Sequence, residues 1–351
     1  MDLMVREARP FCADAAESSE KPGPGRAHCR DVLFRISLTL WLLSLCAGLA
    51  AAADDASTLL AQGRVDEAII SLRAEISTSP NDAEAQNLLC RAYFTLGQWD
   101  RGIEACQKAI SREPGNSRYH LWLGRIYGEK ADKSGFWTAA GLAGKVRSEF
   151  EQAVQLNPKS VDARTDLAEF YLEAPGIVGG GRDKAAAQAL TLASLDPAKA
   201  HWVNGRLAEK RKDFKAAEDE YKAAIDATHG NANSWLNLAI FYRRMGRLDD
   251  MENAIQHAAE AQLDGTGALV DAAELLIRSK RNSPESARLL RQYLSSQSTV
   301  EQAPAFKAHY LLGTVLEQQG NKQGAAEEYR AALSLASEFS PAHEALDRVN
   351  R

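Results

Sequence analysis

The sequence predicts an all-α protein built as an array of paired helices. Three observations support this. Apolar residues recur at helical spacing along most of the chain after residue 53, small and aromatic residues return at intervals of 34 positions, and glycine or proline stands where each apolar stripe stops. A content of 45% hydrophobic and 25% charged residues is that of an ordinary globular protein.

The repeat is clearest near residue 90. Leu89 and Tyr93 form one apolar stripe, and Gly97 follows where that helix should end. Leu123 and Tyr127 follow Leu89 and Tyr93 by 34 residues. A fixed period of this length indicates a stack of similar two-helix units.

This pattern resembles the tetratricopeptide repeat family, whose units read W-x2-L-G-x2-Y and then glycine, alanine, an aromatic residue, alanine and proline. One good match carries Trp235, Leu238, Tyr242, Gly246 and Ala258. Two other stretches match well: Leu121, Trp122, Leu123, Gly124 and Tyr127, and then Leu312, Gly313, Gly320, Ala325, Tyr329 and Ala332. The resemblance implies a right-handed α-solenoid whose partners are proteins or extended peptides.

Applied to the whole chain, this repeat pattern predicts about eight helix pairs and a capping helix that starts at Pro341. The pairs are 54–82, 83–116, 117–160, 161–197, 198–231, 232–265, 268–300 and 306–339. Because each unit contacts only its neighbours, we expect a quasi-linear array. Removing Trp235 or Tyr242 should then cost about 3–5 kcal/mol and cause local fraying.

Residues 1–53 differ from the 54–351 repeat domain. A polar leader with Arg26, Arg30 and Arg35 precedes the uncharged segment 36–53, which ends in alanines. This layout is typical of a secretory signal peptide and predicts an exported protein, periplasmic or secreted. The alternative is an uncleaved anchor over 36–53 in the inner membrane.

Cleavage would leave two cysteines, Cys90 and Cys106, on consecutive helices. Their spacing does not fit a metal site. Two small buried thiols are favoured over a disulfide, which an oxidising compartment would permit.

The resemblance also predicts a binding groove, because in this family the first helix of each pair lines the concave face. The repeat spacing assigns the following residues to the concave face: Asn87, Arg91, Arg118, Arg125, Thr165, Glu169, Trp202, Arg206, Ile240, Arg243, Tyr310 and Thr314. This mixture of basic, aromatic and apolar groups suits a protein or extended peptide. The lysine–asparagine clamp with which some relatives grip C-terminal carboxylates is not reproduced. The net charge of −5 gives no case for nucleic acid.

Two consecutive repeats contain extra residues at the same turn, in ADKSGFWTAA and in APGIVGGGRDKA. Equivalent turns lie on one edge of an array, so the insertions should be neighbours. We expect a partner-binding patch, here called the insertion patch, of Phe136, Trp137, Ile177, Val178 and Arg182. For the two aromatic residues taken by themselves, anchors that hold the insertion down are favoured over exposed contacts. The glycines before Arg182 are expected to form a flexible turn in preference to an anion site.

No catalytic motif stands out, since the histidines are scattered and neither HExxH nor GxSxG occurs. Glu220 and Glu328 are interpreted as solvated, and no catalytic residue, metal or cofactor is predicted. The predicted function is a non-enzymatic protein- or peptide-binding scaffold of the cell envelope, touching a membrane only through an uncleaved N-terminal segment. The alternatives are a self-assembling or envelope-complex subunit, and an auxiliary module of a separately encoded peptidase or secretion machine.

Overall fold

Paired helices make up most of the chain that a computed structural model describes, namely residues 55–261, 267–296 and 299–351. The leader, signal peptide and anchor expected over residues 1–53 lie outside these ranges. The helices are α1 (Ala56–Ala61), α2 (Val65–Thr78), α3 (Ala83–Thr95), α4 (Trp99–Arg112), α5 (Ser117–Asp132), α6 (Phe136–Leu156), α7 (Val161–Glu173), α8 (Arg182–Leu195), α9 (Pro197–Lys210), α10 (Phe214–Ala227), α11 (Ala232–Arg244), α12 (Leu248–Glu260), α13 (Ala268–Arg278), α14 (Ser283–Ser295), α15 (Ala305–Gln318), α16 (Lys322–Leu335) and α17 (Ser340–Val349).

Successive helices pair from α1 with α2 to α15 with α16, and α17 covers the last pair. The predicted fold class, an α-solenoid of about eight pairs with a capping helix, is confirmed. In the described part of the chain, no helix has the length and apolar character needed to cross a membrane.

Glycine sets both the turn inside a pair and the distance between its helices. Gly97 has a φ of 72°, and the next amide, that of Gln98, donates to the Tyr93 carbonyl at 2.9 Å. Only glycine adopts this left-handed conformation at little cost. At Gly313 a Cβ atom would lie 2.6 Å from the ring of Tyr329. The aromatic ring therefore packs directly on the backbone of the neighbouring helix.

The quasi-linear array expected from the sequence is wrong, because the two ends of the repeat domain meet. Phe306 and Phe339, from the last repeat, share one hydrophobic core with Leu60 and Leu72 of the first pair. Across the same junction, Asp66 accepts a hydrogen bond from the backbone amide of Ser337 at 2.8 Å. The curvature of the stack thus returns the eighth pair to the first and closes a ring.

The two cysteines also depart from expectation. Cys90 in α3 and Cys106 in α4 are joined by a disulfide, with their Cα atoms 5.2 Å apart, and both side chains are fully buried. Two free thiols were the favoured interpretation, and the structure replaces it with a bond between the helices of one pair. The sequence spacing of 16 residues carries no sign of this contact.

Candidate functional site

Part of the predicted groove, on the face expected to be concave, is covered by the chain itself. Glu301, in the segment before α15, accepts two hydrogen bonds from the guanidinium of Arg91, one of them from Nε at 2.8 Å. Asn87, one turn earlier on α3, is fully buried, and its amide atoms have no hydrogen-bond partner within the described residues. Neither residue is therefore open to a ligand in this conformation.

Other groove arginines are paired with carboxylates of neighbouring helices. Arg125 donates to Asp166 at 2.6 Å, and Arg206 forms an ion pair with Glu173. Arg206 also lies 3.9 Å from Glu169. Arg118, at the edge, pairs in the same way with Glu84. An anionic ligand on this face would have to displace these intramolecular partners.

Crowding on the inner face changes the acidity of several groups. Burial raises the pKa of Asp166 and of Glu169. Burial and the nearby Glu274 carboxylate together raise the pKa of Asp271 to about 6. The pKa of Lys307 on α15 is lowered by burial. All these shifts disfavour the charged forms, as expected where surrounding protein reduces hydration, although Glu169 and Asp271 remain exposed to solvent.

The remaining groove residues make different contacts and do not share one site. Thr165 and Thr314 donate to carbonyls of their own helices, those of Val161 and Tyr310. The ring of Tyr310 packs edge-on against Phe339 at 5.4 Å, and that of the half-buried Trp202 lies 5.8 Å from the Arg206 guanidinium. Ile240 and Arg243 line a shallow cleft of about 250 Å³. Several residues of the predicted groove are therefore engaged with neighbouring groups of the same chain, and peptide binding on this face stays a prediction.

The two insertions lie side by side on one edge of the array. The first lengthens α5 to 16 residues and α6 to 21, against 13 or 14 in most other helices. About seven extra residues project the start of α6 by roughly 10 Å. The second forms a 3-10 turn, Gly176–Val178, between α7 and α8. The inserted residues are thus mostly ordered helix.

Large apolar side chains of the insertion patch face solvent. Phe136, Trp137 and Ile177 are 75%, 85% and 96% exposed. The rings of Phe136 and Trp137 contact each other edge to face, with centroids 5.3 Å apart. Neither aromatic residue is held in the core, so the favoured interpretation, that they anchor the insertion, is wrong.

A cleft of about 360 Å³ separates the start of α6 from the turn after α7. Phe136, Ile177 and Val178 of the insertion patch line it, with Gly128, Ala131, Asp132, Ala139, Ala140, Ala143, Val146, Phe170, Glu173, Ala174 and Pro175. Arg182 does not line the cleft and begins α8 as an exposed residue. We call this space the insertion cleft.

The glycines before Arg182 do not form an anion site. The amides of Gly179, Gly180 and Gly181 donate to the carbonyls of Gly176, Pro175 and Tyr171. These three N–H groups are therefore occupied within the turn. A flexible turn was the favoured interpretation, and the turn is in fact internally hydrogen-bonded.

Histidine–glutamate pairs recur between the helices of a pair. His120 contacts Glu149, His201 contacts Glu220 and His309 contacts Glu328, each at 2.7 Å. The interpretation of Glu220 and Glu328 as merely solvated is therefore wrong. Because the same contact occurs in three repeats, it belongs to the packing of the array. No group of three or more His, Cys, Asp and Glu suited to a metal occurs in the residues that the structure describes.

Sequence reasoning missed two kinds of residue. Glu301 had no detectable role, because its partner Arg91 lies 210 positions away. The alanines that line the insertion cleft, Ala139, Ala140 and Ala143, did have a signal. They lie in the run 134–144, which has no charged residue, and such a run in a surface insertion indicates an apolar strip.

Comparison with known proteins agrees with this architecture. Three family models, each described as a tetratricopeptide repeat, match residues 59–127, 232–264 and 270–341. The chain belongs to the tetratricopeptide repeat family, whose fold supports the binding of protein partners. No curated protein matches it.

Solved structures share the fold at low sequence identity. Yeast Tom70 is 16% identical with a TM-score of 0.50, and the match covers 82% of this chain and 58% of Tom70. A thermophilic tetratricopeptide repeat protein from Thermus thermophilus is 20% identical with a TM-score of 0.42, covering 56% of this chain and 99% of that one. A tetratricopeptide repeat protein from Parabacteroides merdae is 18% identical with a TM-score of 0.38, covering 77% and 99%.

Proposed function

We propose that this protein is a non-enzymatic scaffold of the cell envelope that binds a protein partner through the insertion patch. One observation carries the proposal. Half of the large exposed apolar side chains in the described residues lie together on this edge: Phe136 and Ile177 line one apolar cleft, and the ring of Trp137 contacts that of Phe136. Apolar groups concentrated in this way are typical of interaction sites, and aromatic residues are enriched among those that dominate binding energy.

Two features support the cell-envelope location. The uncharged segment 36–53 follows three arginines, as in secretory signal peptides. The Cys90–Cys106 disulfide belongs to proteins of oxidising compartments. The inner face is the second candidate surface, and there an extended peptide would compete with the carboxylates that pair with Arg91, Arg125 and Arg206.

Substitutions in the insertion patch should weaken partner capture and leave the fold unchanged. Trp137→Ala, Ile177→Ala and Arg182→Ala each remove an exposed side chain, so the melting temperature and the helical circular dichroism should not change. Truncation of a true contact residue costs about 2 kcal/mol, or roughly 30-fold in affinity. Crosslinking in envelope extracts followed by quantitative mass spectrometry measures the loss of each captured protein.

Ile70→Ala is the matched control, because Ile70 is 68% exposed on α2, outside the insertion patch. It should capture the same proteins as the unchanged chain. If the three patch variants also do so, the insertion patch is not the interface and the inner face becomes the surface to test. A particle of twice the chain mass in light scattering would favour the self-assembling subunit.

A further inference from the structure

We infer that the predicted groove binds an extended peptide with an acidic side chain, and that the chain's own Glu301 occupies the place of that side chain at Arg91. Residues 299–304, here called the groove turn, are then an internal competitor that the peptide displaces. The inference goes beyond the proposed function, because it concerns a surface other than the insertion patch. It follows from the position of the groove turn, the setting of Arg91 and the state of Asn87.

The groove turn belongs to an unusually long connection. Nine residues join α14, which ends at Ser295, to α15, which starts at Ala305, whereas four residues join α4 to α5 and α6 to α7. Within the long connection, the Ala303 amide donates to the Val300 carbonyl at 3.0 Å, which forms a tight turn with Glu301 at its tip. The extra residues therefore bring a carboxylate to α3, 210 positions earlier in the chain.

The partner of Arg91 differs from those of the other groove arginines in its local structure. Asp166 and Glu173, which pair with two of these arginines, both lie on the helix α7. Glu301 lies in the groove turn and not in a helix. A turn changes its backbone conformation more readily than a packed helix does. Glu301 is therefore the groove carboxylate that a ligand displaces most easily.

Arg91 is held in position by a second contact that does not involve Glu301. Its guanidinium carbon lies 5.2 Å from the centre of the Trp122 ring, and Trp122 is buried in the core. This cation–π contact keeps the guanidinium in place when the carboxylate leaves. A guanidinium presents paired N–H donors that match the two oxygens of a carboxylate, as its bonds with Glu301 show. Arg91 thus selects an acidic side chain.

Asn87 supplies an independent reason to expect a peptide at this place. It lies one turn before Arg91 on the same side of α3, is fully buried, and has no hydrogen-bond partner for its amide within the described residues. A buried amide without a partner is unfavourable. Its donor and acceptor complement the C=O and N–H of a peptide bond. A peptide whose acidic side chain binds Arg91 therefore offers Asn87 the backbone groups that it lacks.

The displaced groove turn has space beside it. Gln302, at its tip, lines a cavity of about 390 Å³ together with Lys199, Asn233 and Asn237. The side chains of these last three residues make no hydrogen bond or ion pair with other described residues. Because the cavity is polar, it receives either the turn or the continuation of the bound peptide without burying unpaired groups in an apolar wall.

Two synthetic peptides test the inference on the folded protein. The first, TVEQAP, has the sequence of the groove turn, and the second, TVQQAP, replaces its glutamate by glutamine; both have blocked termini. We expect Glu301→Gln to bind TVEQAP roughly tenfold more tightly than the unchanged chain does, because a tethered competitor has an effective concentration on the order of millimolar. Isothermal titration calorimetry measures both affinities. TVQQAP should bind Glu301→Gln roughly tenfold more weakly, since it lacks the charge-assisted bonds.

Glu338→Gln is the matched control. Glu338 also forms a long-range ion pair, with Arg101 of α4, but neither residue belongs to the predicted groove. This variant undergoes the same change in charge and should bind TVEQAP as the unchanged chain does. The double variant Glu301→Gln with Arg91→Gln should lose the binding that Glu301→Gln gains.

Tyr293→Phe loosens the groove turn without changing Glu301. The Tyr293 hydroxyl donates to the Ala303 carbonyl at 2.5 Å and accepts from the Val300 amide at 3.0 Å. Its removal should raise the affinity for TVEQAP, while circular dichroism shows unchanged helical content. In the unchanged chain, saturating TVEQAP should accelerate hydrogen exchange of the Val300 amide, because displacement exposes that amide to water.

Several results would overturn the inference. They are equal affinities of Glu301→Gln and the unchanged chain for TVEQAP, equal binding of TVEQAP and TVQQAP, and an unaltered exchange rate of the Val300 amide at saturation. A Glu301→Gln protein with a lower melting temperature and no gain in binding would show that the Arg91–Glu301 pair only closes the ring. None of these results bears on the insertion patch, whose variants test the proposed function separately.

Discussion

Phe306→Ala should open the ring and lower the free energy of unfolding by about 3–5 kcal/mol. Phe306 is fully buried and contacts Phe339 edge to face, with ring centroids 5.0 Å apart. Both rings lie in the core that the last repeat shares with the first pair. Loss of the Phe306 ring leaves a cavity at the place where the last repeat meets the first pair. Urea denaturation measures the lost stability, and small-angle scattering measures the increase in the radius of gyration.

Phe241→Ala is the matched control for this prediction. Phe241 is 1% exposed and lies beside Tyr221, in a core formed by the later repeats. It should cost a similar free energy and leave the radius of the folded protein unchanged. A Phe306→Ala protein with the original radius would show that the remaining contacts hold the ends without this ring, and a loss below about 1 kcal/mol would contradict its place in a shared core.

The sequence allowed the helix pairs to be predicted because their signals are local. Leu89, Tyr93 and Gly97 describe one helix and its end within nine residues, and the same pattern returns at fixed spacing. Burial inside a pair was harder to infer. Tyr242 is 6% exposed, as expected, but Trp235 is only half-buried and stacks on His257 at 4.4 Å. Trp235→Ala should therefore cost less than the 3–5 kcal/mol first expected.

Closure of the ring was not predictable from one sequence. The curvature of a solenoid is the sum of small rotations between successive pairs, and no single motif encodes it. Arg91 and Glu301 are separated by 210 positions, and Asp66 and Ser337 by 271. Whether the predicted groove is open to a ligand or covered by the chain depends on the same curvature. Its arginines looked available in the sequence because their partners come from other repeats.

The insertion patch was predictable in part because its signal is a break in the period. Two neighbouring repeats depart from the 34-residue spacing at the same turn, which places Phe136 and Ile177 on one edge. The cleft between them depends on the backbone of α6 continuing as a helix through the inserted residues. Arg182 was placed in the patch by its sequence neighbours, but the start of α8 holds it outside the cleft lining.

Reduction of the Cys90–Cys106 disulfide should lower the free energy of unfolding by about 3 kcal/mol. The bond joins residues separated by 16 positions, and a loop of about 15 residues corresponds to that value in the chain-entropy description. Because both sulfurs are fully buried, the chain has to be unfolded in urea with a reductant before it is refolded. Urea denaturation of the oxidised and reduced forms measures the difference.

The double variant Cys90→Ala with Cys106→Ala is the control, since its stability should not respond to reductant.

The same bond also tests export. A chain expressed with residues 1–53 should begin near Asp54, be protected from alkylation after denaturation, and gain two reactive thiols when reduced. A chain expressed without residues 1–53 should stay in the reducing cytoplasm with both thiols free and show the lower stability. If the full-length chain keeps Met1 and both Cys90 and Cys106 are free thiols, the proposed export is wrong. If instead it keeps residues 36–53, fractionates with membranes and is oxidised, the segment is an anchor and the repeat domain still lies on the oxidising side.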